Sequence, residues 1–295
     1  MVMIKKKVVG NQTYYYIEHS IREGSRIEKR EKYIGKHVPK NIEEIKAEFL
    51  SEIYKEKWHP VFEKIKRNFS EETEAMPETA KEKETEIFSV RFTYDTQRIE
   101  GSKLTLRETA DLLEKGVTPK EKPVEDVKEA EAHKSVFYMM LGHKKDLSLQ
   151  TVLHWHHRIF EGTKKDIAGK IRQHQVAISG SIFLPPSPVE VYPLLREFFK
   201  WYDKNKNTIQ PIEMAALVHL KFVAIHPFAD GNGRLSRLMM NFILHRRGYP
   251  MLNIPYENRA GYYNALERSH IKMQDNIFVQ WLFRRYAKEY RRYVK

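Results

Sequence analysis

The chain has 295 residues, enough for one large domain or two ordinary ones, and its 41% hydrophobic and 12% aromatic content supports a buried core and excludes wholesale disorder. Lys and Arg outnumber Asp and Glu by 52 to 39, a formal charge of +13 that favours polyanions such as nucleotides, nucleic acid or an anionic surface. Cys is absent, which excludes disulfides, zinc–thiolate sites and a cysteine nucleophile. Behind Met1-Val2-Met3-Ile4-Lys5 there is no apolar run long enough for a signal peptide or a bilayer span, so the expectation is a cytoplasmic protein with no membrane partner.

Residues 1–38 read as β-structure. Tyr14, Tyr15, Tyr16 and Ile17 favour a strand, Glu23-Gly24-Ser25 a turn, and Ile27 to Ile34 a return strand. A basic, Tyr-rich hairpin of this kind could lie on nucleic acid, or pack on its own domain as a solvated hairpin. From Asn41 the period becomes helical, with Ile42, Ile45, Phe49, Ile53, Val61, Ile65 and Phe69 on one face, and Pro60 is expected to kink or split the helix. The polar stretch 70–84 suggests a boundary. Residues 1–80 are thus read as an N-terminal hairpin-plus-helix unit, and 81–295 as a second, mainly helical domain.

In that second part Phe88, Phe92 and Ile99 mark an apolar face. Thr105-x-x-Glu108 is a capping box, and so is Ser187-Pro188-Val189-Glu190 with Pro at the first helical position. Further helices are expected from Pro123 to Leu141, from Ser148 to Ile159, from Pro211 to Ile225, and over roughly 234–247, 258–268 and 275–293. Residues 172–186 are the exception. Gln175 to Ile178 alternate, Ser179-Gly180-Ser181 turns and Pro185-Pro186 blocks a helix, so a short β-hairpin is expected. His154-Trp155-His156-His157 lacks a carboxylate at zinc-enzyme spacing and reads as helix-packing histidines.

One segment concentrates chemistry: His226-Pro227-Phe228-Ala229-Asp230-Gly231-Asn232-Gly233-Arg234-Leu235-Ser236-Arg237. A Gly-Asn-Gly turn that opens a helix presents backbone N–H groups at the positive end of the helix dipole, a cradle for anions. Arg234 and Arg237 lie one turn apart and can serve phosphate oxygens. Asp230 is an oxygen ligand of the kind Mg²⁺ takes beside phosphate. His226 at the loop's entrance can accept a proton from a hydroxyl. There is no Walker Gly-Lys-Ser/Thr, so this is not a P-loop.

These twelve residues match the signature His-Pro-Phe-x-Asp/Glu-Gly-Asn-Gly-Arg-x-x-Arg, and the chain resembles the Fic (filamentation induced by cAMP) family over about residues 85–270. Ala168-Gly169-Lys170-Ile171-Arg172 with Pro185-Pro186 is similar to the family's approach to its flap, and Tyr262-Tyr263-x-x-Leu266 to the segment behind the nucleotide base. The resemblance implies a helical Fic core with a hairpin flap and transfer of AMP from Mg²⁺-bound ATP to a Ser, Thr or Tyr hydroxyl of a target protein. His226 would be the general base and Asp230 the metal carboxylate. Gly231, Asn232 and Gly233 would form the anion hole, Arg234 would bind the phosphates and Arg237 the γ-phosphate. Phe228 would anchor the loop by packing. Tyr263 and Asn264 would contact adenosine, and Val176, Ile178 and Phe183 would line up the target by strand addition.

Thr96-Gln97-Arg98-Ile99-Glu100-Gly101 fits the family's inhibitory pattern, Ser/Thr-x-x-x-Glu-Gly/Asn, with Ser102 departing from the usual Asn just beyond it. The resemblance makes 91–101 an inhibitory helix of the class II kind, acting within the chain: Glu100 would pair with Arg237 in the space of the γ-phosphate. It also implies possible self-modification, a possible homodimer, and removal of AMP assisted by the same glutamate. Transfer of another phosphate-bearing group, or a nucleic-acid-binding regulator built on the basic N-terminal hairpin, are the alternatives.

Overall fold

The structure, a computed structural model, describes residues 2–23 and 26–295. Strands β1 (Met3–Val9), β2 (Gln12–Glu23) and β3 (Arg26–Gly35) form an antiparallel sheet in that order. The reading of a two-stranded hairpin missed β1, whose three lysines look unlike a strand. They are tolerated because β1 is an edge, where charge is normal. Gly10, at φ +60°, and Asn11 form the two-residue turn that sets Val9 opposite Gln12. The turn read at Glu23-Gly24-Ser25 falls largely on Gly24 and Ser25, which lie outside the described residues.

On one face of this sheet Tyr14, Tyr16 and Tyr33 cluster, with ring centroids 5.2 and 6.2 Å apart. Lys5 and Lys7 are already paired there with Glu18 and Glu31, at 2.6 Å each. The alternating side chains put Ile17 on the other face, fully buried in a small core with Val2, Phe49 and Ile53. Phe49 and Ile53 belong to helix α1 (Ile42–Ala75), which continues through Pro60, so of the expected kink or split the split does not occur. Beyond the proline, Phe62 and Ile65 are fully buried, so packing holds the helix where one backbone hydrogen bond is missing.

The chain divides into two compact units, Met1–Val61 and Phe62–Lys295, whereas the sequence places a boundary near 80. The polar stretch at 70–84 is helix interrupted only at Met76-Pro77, after which α2 (Glu78–Ile99) begins. Then follow α3 (Leu106–Lys115), α4 (Val124–Leu141), α5 (Leu149–Phe160), α6 (Pro188–Asn205), α7 (Pro211–Ile225), α8 (Asn232–Arg246), α9 (Arg259–Lys272) and α10 (Asp275–Glu289). The caps read from sequence are formed: Ser148 accepts from the Thr151 N–H, and Ser187 and Glu190 make a capping box. The structure adds a cap that was not read, Gln210, whose side chain accepts from the Ile212 and Glu213 N–H groups ahead of the helix that Pro211 starts.

Helices α7 and α8 are the heart of the larger unit. Ten residues of α7 and twelve of α8 are buried, including Met214, Leu220, Leu235, Leu238 and Phe242. A helix buried on nearly all sides cannot shift without opening the core. The short loop between them, residues 226–231, is therefore held from both ends.

The hairpin expected at 172–186 does not form: the segment turns at Ser179-Gly180, but its arms make no strand ladder. Side chains tie it instead. The Arg172 guanidinium donates to the carbonyls of His174 and Pro186, and Gln175 to that of Pro185, at 2.6 to 3.0 Å. The result is a strap rather than a sheet.

The capping box at α3 is complete, with Thr105 accepting from the Glu108 N–H and Glu108 accepting from the Thr105 N–H. Thr105→Ala should therefore lower stability by about 1 kcal/mol, measured by urea denaturation. An unchanged midpoint would show that α3 does not depend on its cap.

Candidate active site

His226 ends α7 in the left-handed conformation, φ 51° and ψ 58°, which turns the chain sharply into the loop. Its Nδ1 lies 3.2 Å from the Val223 carbonyl, and its own carbonyl accepts from Arg172 Nε at 2.7 Å. A carbonyl can only accept, so Nδ1 carries the proton and Nε2 is left as the basic nitrogen. Burial pushes the His226 pKa below its ordinary 6.5; the Val223 carbonyl opposes this and nearby Arg172 adds to it. The ring is therefore neutral at neutral pH.

Phe228 locks the loop down. It is fully buried and stacks on His156 at 3.8 Å between centroids. His156 is fixed in turn: its Nδ1 accepts from the Gly169 N–H at 2.8 Å, so Nε2 donates to the Asp230 carbonyl at 3.1 Å. Burial lowers its pKa to about 4, which keeps it neutral in this role. The Asn232 side chain bonds both the N–H and the C=O of Phe228, at 2.9 and 2.8 Å. Asn232 thus closes the loop with its side chain and leaves only its backbone N–H for a ligand.

The turn into α8 requires glycine. Gly231 has φ +83°, and a Cβ on it would come within 2.5 Å of the Phe160 ring. A Cβ on Gly233 would overlap the Glu100 carboxylate. The first helical bond of α8 runs from Leu235 N–H to Gly231 C=O. The N–H groups of Asn232, Gly233 and Arg234 precede it, as the unpaired donors of a helix N-terminus do.

Arg237 is 1% exposed. Nε donates to Thr96 Oγ1 at 2.6 Å, one terminal nitrogen to the Tyr262 hydroxyl at 3.1 Å, and the other to Glu100 Oε1 at 2.6 Å. Burial would lower the Arg237 pKa, but Tyr262 and Glu100 raise it, so it stays charged. Glu100 sits at the C-cap of α2 and reaches the guanidinium from the cleft side. Thr96, Glu100 and Arg237 are brought together as the inhibitory pattern predicts.

Arg234 goes elsewhere. It is 2% exposed and turns away from the cleft to bond Glu129, Gln97 Oε1 at 3.1 Å and Asp230 Oδ1 at 3.0 Å. Burial would lower its pKa, and Asp230 and Glu129 raise it. These bonds clamp α2, α4 and the loop together. Asp230 also accepts from Lys164 at 2.7 Å and from the Gly231 N–H at 2.5 Å. Burial would raise the Asp230 pKa, but Arg234 and Lys164 prevail and hold it at about 2.

A cleft of about 490 Å³ opens over these groups, lined by Glu100, His226, Asp230 to Gly233, Arg237, Tyr262, Tyr263 and the strap residues Ala177 to Ser181. Tyr263 is at its edge and donates to the Ile99 carbonyl at 3.0 Å; burial, and after it Glu100, push its pKa to about 12. Asn264 is exposed on α9 and does not line the cleft. Of the three strap residues proposed from sequence, Ile178 lines it. Val176 does not, and Phe183 packs its ring on His270 at 4.5 Å. Sequence reasoning missed Glu129, Gln97, Lys164 and His156. Gln97 stood inside the inhibitory pattern and His156 inside the noted histidine cluster, but nothing local marked Glu129 or Lys164.

A cleft with a helix N-terminus, a buried arginine and a neutral histidine on one short loop is suited to a phosphate-bearing ligand, and the surrounding helical fold is that of Fic proteins. Residues 146–244 match the Fic/DOC family, so the chain contains a Fic domain. Protein adenylyltransferase Fic of Drosophila melanogaster is 35% identical over 184 residues, which are 59% of this chain and 36% of that protein. Protein adenylyltransferase fic-1 of Caenorhabditis elegans is 34% identical over 211 residues, 69% of this chain and 41% of that one. The chain thus spans about two fifths of the length of the curated relatives it matches. A Fic-domain-containing signalling protein from Bacteroides thetaiotaomicron has a TM-score of 0.70 at 26% identity, covering 79% of this chain and 96% of its own. Fic-1 (aa134 - 508) from C. elegans also gives 0.70, at 29% identity, covering 83% and 72%.

Gly231 and Gly180 share a left-handed backbone, but only Gly231 is crowded. Gly231→Ala should cost about 2 kcal/mol or more of stability, and Gly180→Ala only about 1, read from urea unfolding curves. Equal costs would mean that Phe160 yields and the glycine is needed for its φ alone.

Proposed function

We propose that this chain is a protein adenylyltransferase that moves AMP from ATP to a hydroxyl of a target protein and is held off by Glu100. The observation that carries this reading is the Glu100–Arg237 ion pair inside the cleft, beside a histidine whose Nε2 is free to accept a proton. The names and about 35% identity of the curated relatives support the reaction class.

In the proposed reaction the target hydroxyl gives its proton to His226 Nε2 as its oxygen bonds to the α-phosphorus. The bond from that phosphorus to the bridging oxygen breaks, and pyrophosphate leaves. The backbone N–H groups at the start of α8 and the Arg237 guanidinium supply the positive field for the phosphates. Arg234 acts indirectly, by fixing Asp230 and the loop. The strap around Ile178 offers backbone groups at the cleft edge against which an extended target segment is aligned.

Mg²⁺ suits the donor set. Asp230 is an ionised carboxylate on the phosphate loop, and Mg²⁺ needs only one or two carboxylates beside phosphate oxygens and water. Bound there, it would offset phosphate charge. Glu100 has a further possible use, since its carboxylate faces the cleft and could orient a water for removal of AMP.

With ATP labelled at the α-phosphate, Glu100→Gly should raise label on protein at least tenfold over the unsubstituted chain. Glu100→Gly/His226→Ala should show none. Label delivered from the γ-phosphate instead would contradict AMP transfer. In the Glu100→Gly background kcat/KM should be flat above neutrality and fall only below pH 6.5, because the depressed pKa keeps His226 basic further into acid. An acid limb above 6.5 would remove His226 as the base.

A further inference from the structure

Four charges beneath the phosphate loop close a ring of alternating sign. Lys164 Nζ is 2.7 Å from Asp230 Oδ2 and 3.1 Å from Glu129 Oε1, while Arg234 bonds the other oxygen of each carboxylate. The ring is neutral, with two cations and two anions. Its inner half is fixed, Arg234 and Glu129 being 2% and 8% exposed at the side chain. Its outer edge is open, Lys164 and Asp230 being 32% and 36% exposed. Only this edge meets the cleft, through Asp230.

The consequence for Asp230 is specific. Oδ1 already accepts from the Gly231 N–H and from Arg234, and Oδ2 from Lys164. A divalent cation at this carboxylate must share it with an ammonium or displace one. Arg234 cannot leave, because it is buried and shared with Glu129 and Gln97. Lys164 can, because its chain is half-exposed and Glu129 would keep Arg234 and the Thr163 hydroxyl as partners.

We infer that Lys164 is a resident cation that holds the metal position on Asp230 and sets a threshold for divalent-cation binding. This rests on the reading of Asp230 as the metal carboxylate. With Lys164 in place, the free site is electrically balanced and the metal enters only with the added negative charge of a nucleotide. The chain then has a second restraint beside Glu100. Glu100 competes with phosphate for Arg237, and Lys164 competes with metal for Asp230.

The test measures Mn²⁺ binding by EPR in the Glu100→Gly chain with a non-hydrolysable ATP analogue present, as the loss of free-ion signal beyond that caused by the same concentration of analogue without protein. Lys164→Met should tighten Mn²⁺ binding about tenfold, the scale of one screened charge at close range, while Lys164→Arg should stay near the parent value. Stoichiometric binding of the analogue reports that each variant is folded. Asp230→Asn should abolish Mn²⁺ binding at the loop. Lys164→Met binding Mn²⁺ no tighter than the parent, with Asp230→Asn still abolishing it, overturns the role of Lys164 and leaves Asp230 as ligand. Asp230→Asn without effect overturns both.

Discussion

The site depends on the choice of anion for Arg237. A guanidinium that is 1% exposed must be paired, because an unpaired buried charge costs several kcal/mol. Thr96 and Tyr262 satisfy part of its hydrogen bonding with neutral oxygens, and one terminal nitrogen takes the carboxylate of Glu100. The demand for an anion and the position of Glu100 are therefore the same fact. Removing Glu100 leaves a vacancy that a phosphate can fill, so the proposed function expects Glu100→Gly to be the variant most stabilised by nucleotide.

Around that arginine the fold is arranged to prevent movement. Helices α7 and α8 are buried on almost every side, and the loop between them is pinned by the Phe228–His156 stack and by the Asn232 side chain. Much of the signature is thus spent on holding shape. Phe228, Asn232, Gly231 and Arg234 fix the loop, while His226, Asp230, Arg237 and the helix N-terminus face the cleft. The charge ring of Lys164, Asp230, Arg234 and Glu129 extends the same economy to electrostatics, since each member has two opposite neighbours.

How much of this was readable from sequence differs by residue and for physical reasons. Caps and helix starts were legible, because Thr105, Ser148, Ser187 and Pro211 act within four residues of themselves. The segment at 226–237 was legible because its candidate chemistry is packed into twelve residues. The pairing of Glu100 with Arg237, 137 positions apart, could be expected only through the family resemblance. Glu129 and Lys164 were invisible, since neither lies in a local pattern and their meaning comes from the tertiary contact with Arg234 and Asp230. The 172–186 segment misled in the opposite way. Its alternation suits a hairpin, but Arg172 and Gln175 satisfy the carbonyls that a ladder would use. β1 was missed because its lysines are edge-strand residues.

The central claim is that Glu100 and the γ-phosphate compete for one guanidinium, and calorimetry with a pair of nucleotides tests it most directly. Kd for ATP and for AMP would be measured on the unsubstituted chain and on Glu100→Gly. Competition at Arg237 predicts that the substitution tightens ATP by tenfold or more and leaves AMP, which has no γ-phosphate, unchanged. Equal tightening of both nucleotides, or of neither, would contradict it.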